Sequence, residues 1–302
     1  MIFQTIRTAV DSSFHDLLAT KNLVKAFAAG ELPQLMHAAQ SVTLFGSRSG
    51  VNAFRFLWRG QRDCRWPLKS RLFRELEAAH NSQPTAADLE RAEDNMLKRF
   101  QATGLRESKT PVLEQLAVLQ HQGAPTRLLD VSTDYLPALF FASDPTLDEL
   151  NRPSDGLLIA FLANATTGAL DPEMQNASLL RQRISTGPCF YLPQSFSRRI
   201  RAQRGAFIAS EEPSGVPEMT LRWDLPSRPW ADKTRDEVFD ALGGRRRGRP
   251  GTPVVVALRI RAALKTSVRE YLARAFRIDD NTMFPDIQGF VQAFSVVSSG
   301  RS

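Results

Sequence analysis

The densest grouping of side chains able to move protons or grip anions is His121-Gln122-Gly123-Ala124-Pro125-Thr126-Arg127-Leu128-Leu129-Asp130. An imidazole that titrates near neutral pH, a guanidinium and a carboxylate fall within ten residues. His121 and Asp130 are the acid–base candidates, and Arg127 is an anion ligand. Each also has a structural reading: His121 closes a helix whose C-terminus favours a cation, and Asp130 caps a turn. Were Thr126–Asp130 a strand, Arg127 and Leu129 would point one way and Leu128 and Asp130 the other. Ser132 and Thr133 follow at once, two hydroxyls at the edge of the same segment.

Two further polar strings accompany it. In Trp58-Arg59-Gly60-Gln61 the glycine would let a ligand approach the backbone, with Arg59 free to fork onto a phosphate or carboxylate and Gln61 to hydrogen-bond it. The run Arg198-Arg199-Ile200-Arg201-Ala202-Gln203-Arg204 is basic and precedes a strand-like Gly205–Ala209; a solvated face is its plain alternative.

The elements that must position these residues follow from periodicity. Apolar residues at helical spacing (Phe14, Leu17, Leu18, Val24, Phe27) make residues 1–40 a helical N-terminal extension. Ser41–Leu44 and Ala53–Trp58 read as strands around GSRSG. Thr85 and Asp88 form a capping box ahead of a helix through Gln101, and a second helix runs from Pro111 to His121, ended by Gly123. Thr126–Val131 is a short strand. Asp134 or Thr133 then caps the almost wholly apolar helix Leu136–Ala142, with Pro137 tolerable in its first turn. Gly156–Leu162, Cys189–Leu192, Gly205–Ala209 and Val254–Ile260 supply further strands. Without strict βαβ alternation this is an α+β fold, a central mixed or antiparallel sheet with flanking helices in a single domain. A Pro/Arg-rich insertion occupies about 213–253.

Composition narrows the partners. The 302 residues are 42% hydrophobic, enough for a core, and no apolar run approaches the roughly 20 residues of a membrane span. With no secretion signal legible, the cytoplasm is the expected location and no membrane partner is expected; Cys64 and Cys189 match no metal spacing and are expected to be reduced. A net charge of +7, with 32 arginines among 39 cations, suits phosphates and carboxylates.

Taken in order, WRGQ at 58–61, HQGAPTRLLDVSTDYLPALFFA at 121–142, YLPQSFSRRIRAQRGAF at 191–207 and MFPDIQGF at 283–290 resemble the FRG domain, a bacterial family named for an aromatic-Arg-Gly motif. The resemblance spans about 41–295, with Trp58 as its aromatic, and puts the domain at 41–297. The order of elements is also similar to that of ADP-ribosyltransferases: an early strand with an arginine or histidine that grips NAD, a strand reaching a Ser/Thr motif, an apolar helix, and a late strand bearing the catalytic acid. That resemblance implies Arg59 on the phosphates or ribose of NAD as substrate, Ser132-Thr133 closing the nicotinamide pocket and the YLPALFFA helix walling it. Such chemistry needs arginine for the phosphates and stabilisation of an oxocarbenium-like ribose as nicotinamide departs. The late strand departs from the pattern: Gln203-Arg204-Gly205 stands where those enzymes generally place glutamate, so His121, Asp130 or Gln203 would supply the acid–base function. A toxin-like effector, as in phage defence, is a context such an enzyme would fit.

Two rivals stand beside this reading. Arg247-Gly248-Arg249-Pro250, within the cluster Arg245, Arg246, Arg247 and Arg249, matches the core of an AT-hook, which would make the chain a nucleic-acid binder. Alternatively the pocket binds a nucleotide-like ligand without turnover, as a sensor. No metal-ligand set is legible.

Overall fold

Alternation of Phe54, Phe56 and Trp58 with Arg55, Leu57 and Arg59 extends the chain into β1, Phe54–Gln61. The computed structural model describes residues 54–66, 68–104, 110–145, 152–164, 169–185, 189–194, 197–210 and 254–286, together with 32, 33, 35, 36, 39, 40, 43 and 147. β1 pairs antiparallel along its whole length with β3 (Gly156–Asn164), from Phe54 opposite Asn164 to Gln61 opposite Leu157. β3 in turn pairs with β6 (Val254–Ile260). On the other side β2 (Leu129–Ser132) pairs through all four residues with β5 (Gly205–Ala209), and β5 with β4 (Cys189–Tyr191). The sheet order is β4-β5-β2-β1-β3-β6, every pairing between these strands antiparallel. β1 and β2 are paired in register at the single position Trp58 opposite Ser132.

Each half carries its own helical cover. The apolar run Tyr135–Ala142 becomes α4; further helices are α1 (Arg71–His80), α2 (Ala86–Ala102), α3 (Val112–His121), α5 (Ala177–Ile184), α6 (Arg198–Ala202), α7 (Lys265–Phe276) and α8 (Asp280–Met283). Trp58, Leu158, Ala160 and Ile260 form one core with Leu139 of α4 and Leu272 of α7. Phe207 and Tyr191 form another with Leu97, Leu113, Leu116 and Leu180 of α2, α3 and α5. Caps fix the starts of these helices: Thr85 and Asp88 make the reciprocal box of α2, and Asp134 accepts from the Leu136 amide at 2.8 Å.

α4 lies unusually close to the sheet because two glycines permit it. A Cβ on Gly60 would stand 1.8 Å from the Ala138 carbonyl oxygen, and one on Gly156 would stand 1.9 Å from that of Ala142. Gly60 therefore admits a helix rather than the ligand that its place beside Arg59 suggested. At the far end of α4 the buried Lys265 donates to the Asp144 carbonyl at 2.9 Å and the Arg62 carbonyl at 2.6 Å, pinning α7 to the exits of α4 and β1. A cation suits the C-terminal end of a helix.

Several expectations change. Thr43 is helical, its hydroxyl donating to the Ala39 carbonyl at 3.0 Å, where a strand was expected, and Leu35 and Ala39 belong to the first core. β1 continues through Gln61, and β2 begins only at Leu129, which places Arg127 ahead of it. Helices α1, α5, α6, α7 and α8 go beyond those the sequence pattern predicts; the basic run Arg198–Ala202 is helical. Cys64 and Cys189 are free thiols. No helix among the described residues is long and apolar enough to cross a membrane. The insertion at about 213–253, with Arg245, Arg246, Arg247 and Arg249, lies outside the described residues, as does most of 1–40.

Candidate functional site

Two strands that share one pair and then part leave backbone groups without a ladder partner. Arg59, the residue after Trp58, answers this: its Nη1 donates to the Asp130 carbonyl at 2.7 Å, across the divergence. Its Nε is buried and has no hydrogen-bond partner among the described residues. The guanidinium is held below its ordinary value by desolvation, with Arg74 of α1 adding to the effect and Asp130 opposing it. A buried donor without a partner costs free energy, and a guanidinium anchored through one nitrogen keeps further donors.

Asp130 itself is exposed, and its Oδ1 accepts from Gln120 Nε2 at 2.6 Å; the Gln120 Oε1 accepts from the Thr126 hydroxyl. His121, the last residue of α3, is thereby beside Asp130, and its Nε2 lies 3.5 Å from Oδ2 of Asp286, in the segment after α8. Burial lowers the His121 ring below its ordinary value, Arg199 of α6 pushes the same way, and Asp286 and Asp130 oppose them. Arg199 also stands 5.0 Å over the Phe284 ring, which packs edge-on against Phe141 of α4. Arg59, Asp130, Gln120, His121, Arg199 and Asp286 thus form one polar neighbourhood where the two half-sheets part.

The other expected residues are elsewhere or otherwise engaged. Arg127 is 3% exposed, and its Nε donates to both oxygens of Glu93, 1% exposed, at 3.0 and 2.8 Å. It is an interior ion pair linking the segment just before β2 to α2, not a surface anion ligand. Gln61 is buried. The Ser132 hydroxyl donates to the Gln203 carbonyl at 2.9 Å and accepts from the Asp134 amide at 3.1 Å. Thr133 is bound through its amide to the Arg204 carbonyl at 2.9 Å, with its hydroxyl at 3.3 Å from the same oxygen. Gln203 Nε2 donates to the Met283 carbonyl at 3.1 Å. These three therefore lace β2 to the turn before β5 and to α8. That turn is tight enough to hold Arg204 at φ +48° and is closed by the Arg204–Asp134 ion pair.

Asp286, Arg199 and Gln120 were not singled out as site residues by sequence reading. Asp286 sits in MFPDIQGF and Gln120 one residue before the central string, so both were adjacent to noted segments; nothing local showed that they would converge.

Residues 54–150 match the family model of the FRG domain. This stretch runs from β1 beyond α4 and includes Arg59, His121 and Asp130, but not Arg199, Gln203 or Asp286. No curated protein and no solved structure gives a match to the chain.

Proposed function

Starting from the fact that the chain carries an FRG domain, we propose that it binds an anionic nucleotide where β1 and β2 part, and that the nucleotide is NAD, cleaved at the bond to nicotinamide. The observation that carries this reading is Arg59: one nitrogen is anchored on the Asp130 carbonyl, while the buried Nε lacks an acceptor. A donor of that kind costs free energy unless something supplies its partner, and the oxygens of a phosphate match the guanidinium fork. The adjacency of β5, β2 and β1 supports the likeness to ADP-ribosyltransferases, whose functional groups come from three such strands. Arg59 binds phosphate or ribose; the acid–base group comes from His121 and Asp130 and not from the late strand, where Gln203 spends its amide on Met283.

Incubation of the full chain with NAD, with protein and nucleic-acid acceptors present, tests this by the nicotinamide released. Release by wild type that is lost in Arg59→Ala is expected. NAD retained without release makes the chain a sensor, and neither retention nor release ends the reading.

A nucleic-acid partner is a second reading. It is favoured by Arg198 and Arg201, which are exposed on α6 and make no ion pair among the described residues. Binding through phosphates would weaken steeply with salt in gel-shift measurements, and the absence of any shift at low salt rules it out.

A further inference from the structure

A late strand without a carboxylate leaves the proposed cleavage in need of a base, and the fold brings one to the cleft from two distant parts of the chain. His121 ends α3 one residue beyond Gln120, whose amide is fixed on both sides by Asp130 and Thr126. Its Nε2 faces the Asp286 carboxylate at 3.5 Å, and the Asp286 side chain is itself largely enclosed. We infer that His121 is the acid–base group of this site and that Asp286 is its positioning residue, holding the ring through Nε2 beside Asp130. This rests on the reading under Proposed function.

The chemistry balances without another reactant. As the glycosidic bond of NAD breaks, nicotinamide departs with the bonding electron pair. A water or acceptor hydroxyl forms the new bond to the ribose carbon, and its proton passes to His121. The imidazolium so formed lies against the Asp286 carboxylate, which stabilises it in the manner of a carboxylate oriented behind a catalytic imidazole. The charged groups facing the ring are Asp286 after α8, Asp130 of β2 and Arg199 of α6. Burial and Arg199 favour the neutral ring, the form that accepts a proton, and the Asp286 and Asp130 carboxylates oppose them.

Nicotinamide release and NAD affinity are measured across pH for wild type, His121→Gln, Asp286→Asn and Asp286→Glu. The His121 ring is titrated by NMR in wild type and in the Asp286 variants. Loss of about 10²-fold in kcat is expected for His121→Gln and about tenfold for Asp286→Asn, with NAD affinity kept and partial rescue by Asp286→Glu. In Asp286→Asn the acid limb of the rate profile and the His121 titration both move to lower pH. Wild-type rates in His121→Gln overturn the inference while leaving the proposed reaction standing. An unmoved His121 titration in Asp286→Asn overturns it whether or not NAD is cleaved. A moved titration in a protein that neither binds nor cleaves NAD supports the pairing and overturns only the reaction on which it was placed.

Discussion

Arg59 donates from Nη1 to the backbone carbonyl of Asp130 at 2.7 Å, next to the one register pair that joins the two halves of the sheet. A side chain thus takes the place of the ladder hydrogen bonds that β1 and β2 cease to make. The same contact brings a guanidinium, the exposed Asp130 carboxylate and, through Gln120, the end of α3 to the parting of the strands. Because each half has its own core, the seam between them is a natural place for polar groups.

The approach of α4 to the sheet depends on Gly60. Gly60→Ala is expected to destabilise the protein by about 3 kcal/mol or more, because the new methyl meets helix backbone and not a side chain that can turn away. Gly104 is the contrast: it has φ +67° and open space around it, so Gly104→Ala carries only the backbone penalty, about 1 kcal/mol. Denaturant melts of the two variants check this, and equal losses would show that α4 can retreat from β1.

Arg127 is expected to matter for folding and not for ligand. Arg127→Met leaves the Glu93 carboxylate buried without its partner and should cost about 3–5 kcal/mol, whereas Arg127→Met with Glu93→Leu should recover most of that loss. NAD affinity of the folded fraction is expected to stay at the wild-type level in the double variant. A specific loss of affinity with stability restored would return Arg127 to the binding site.

How much was legible divides along sequence separation. Strands Gly205–Ala209 and Val254–Ile260, the Thr85 box and the apolar helix after Asp134 depend on local pattern, and they stand where periodicity and caps put them. Arg127 was misplaced because its partner Glu93 is 34 residues away on another helix, and an arginine among polar neighbours gives no local sign of burial. Arg59 was noted, but as the end of a strand; that β1 and β2 part beside it depends on pairings no single strand encodes. Asp286 reaches His121 only through the packing of the segment after α8. Helix α1 is weakly marked in sequence, since in ten residues only Leu72, Phe73 and Leu76 carry its apolar face.

His121 should leave its mark on stability as well as on chemistry. Its folded value lies below the ordinary one of about 6.5, so at slightly acid pH the unfolded chain binds more protons than the native state. Stability contributed at this position is complete above about 6.5 and declines as pH falls through the window below it. Urea unfolding from pH 7.5 downward should therefore show a shallower acid decline in His121→Gln than in wild type. Superimposable declines in the two proteins contradict this.

The claim on which the rest depends is that Arg59 holds an anionic dinucleotide at the parting of β1 and β2. Calorimetric titration of NAD into wild type, Arg59→Lys and Arg59→Ala measures it directly. Wild type should bind; Arg59→Lys should weaken affinity about tenfold, since an ammonium cannot reproduce the fork, and Arg59→Ala more, with folding stability changed by no more than about 1–2 kcal/mol in either. NAD bound equally well by Arg59→Ala, or not bound by folded wild type at all, contradicts the account.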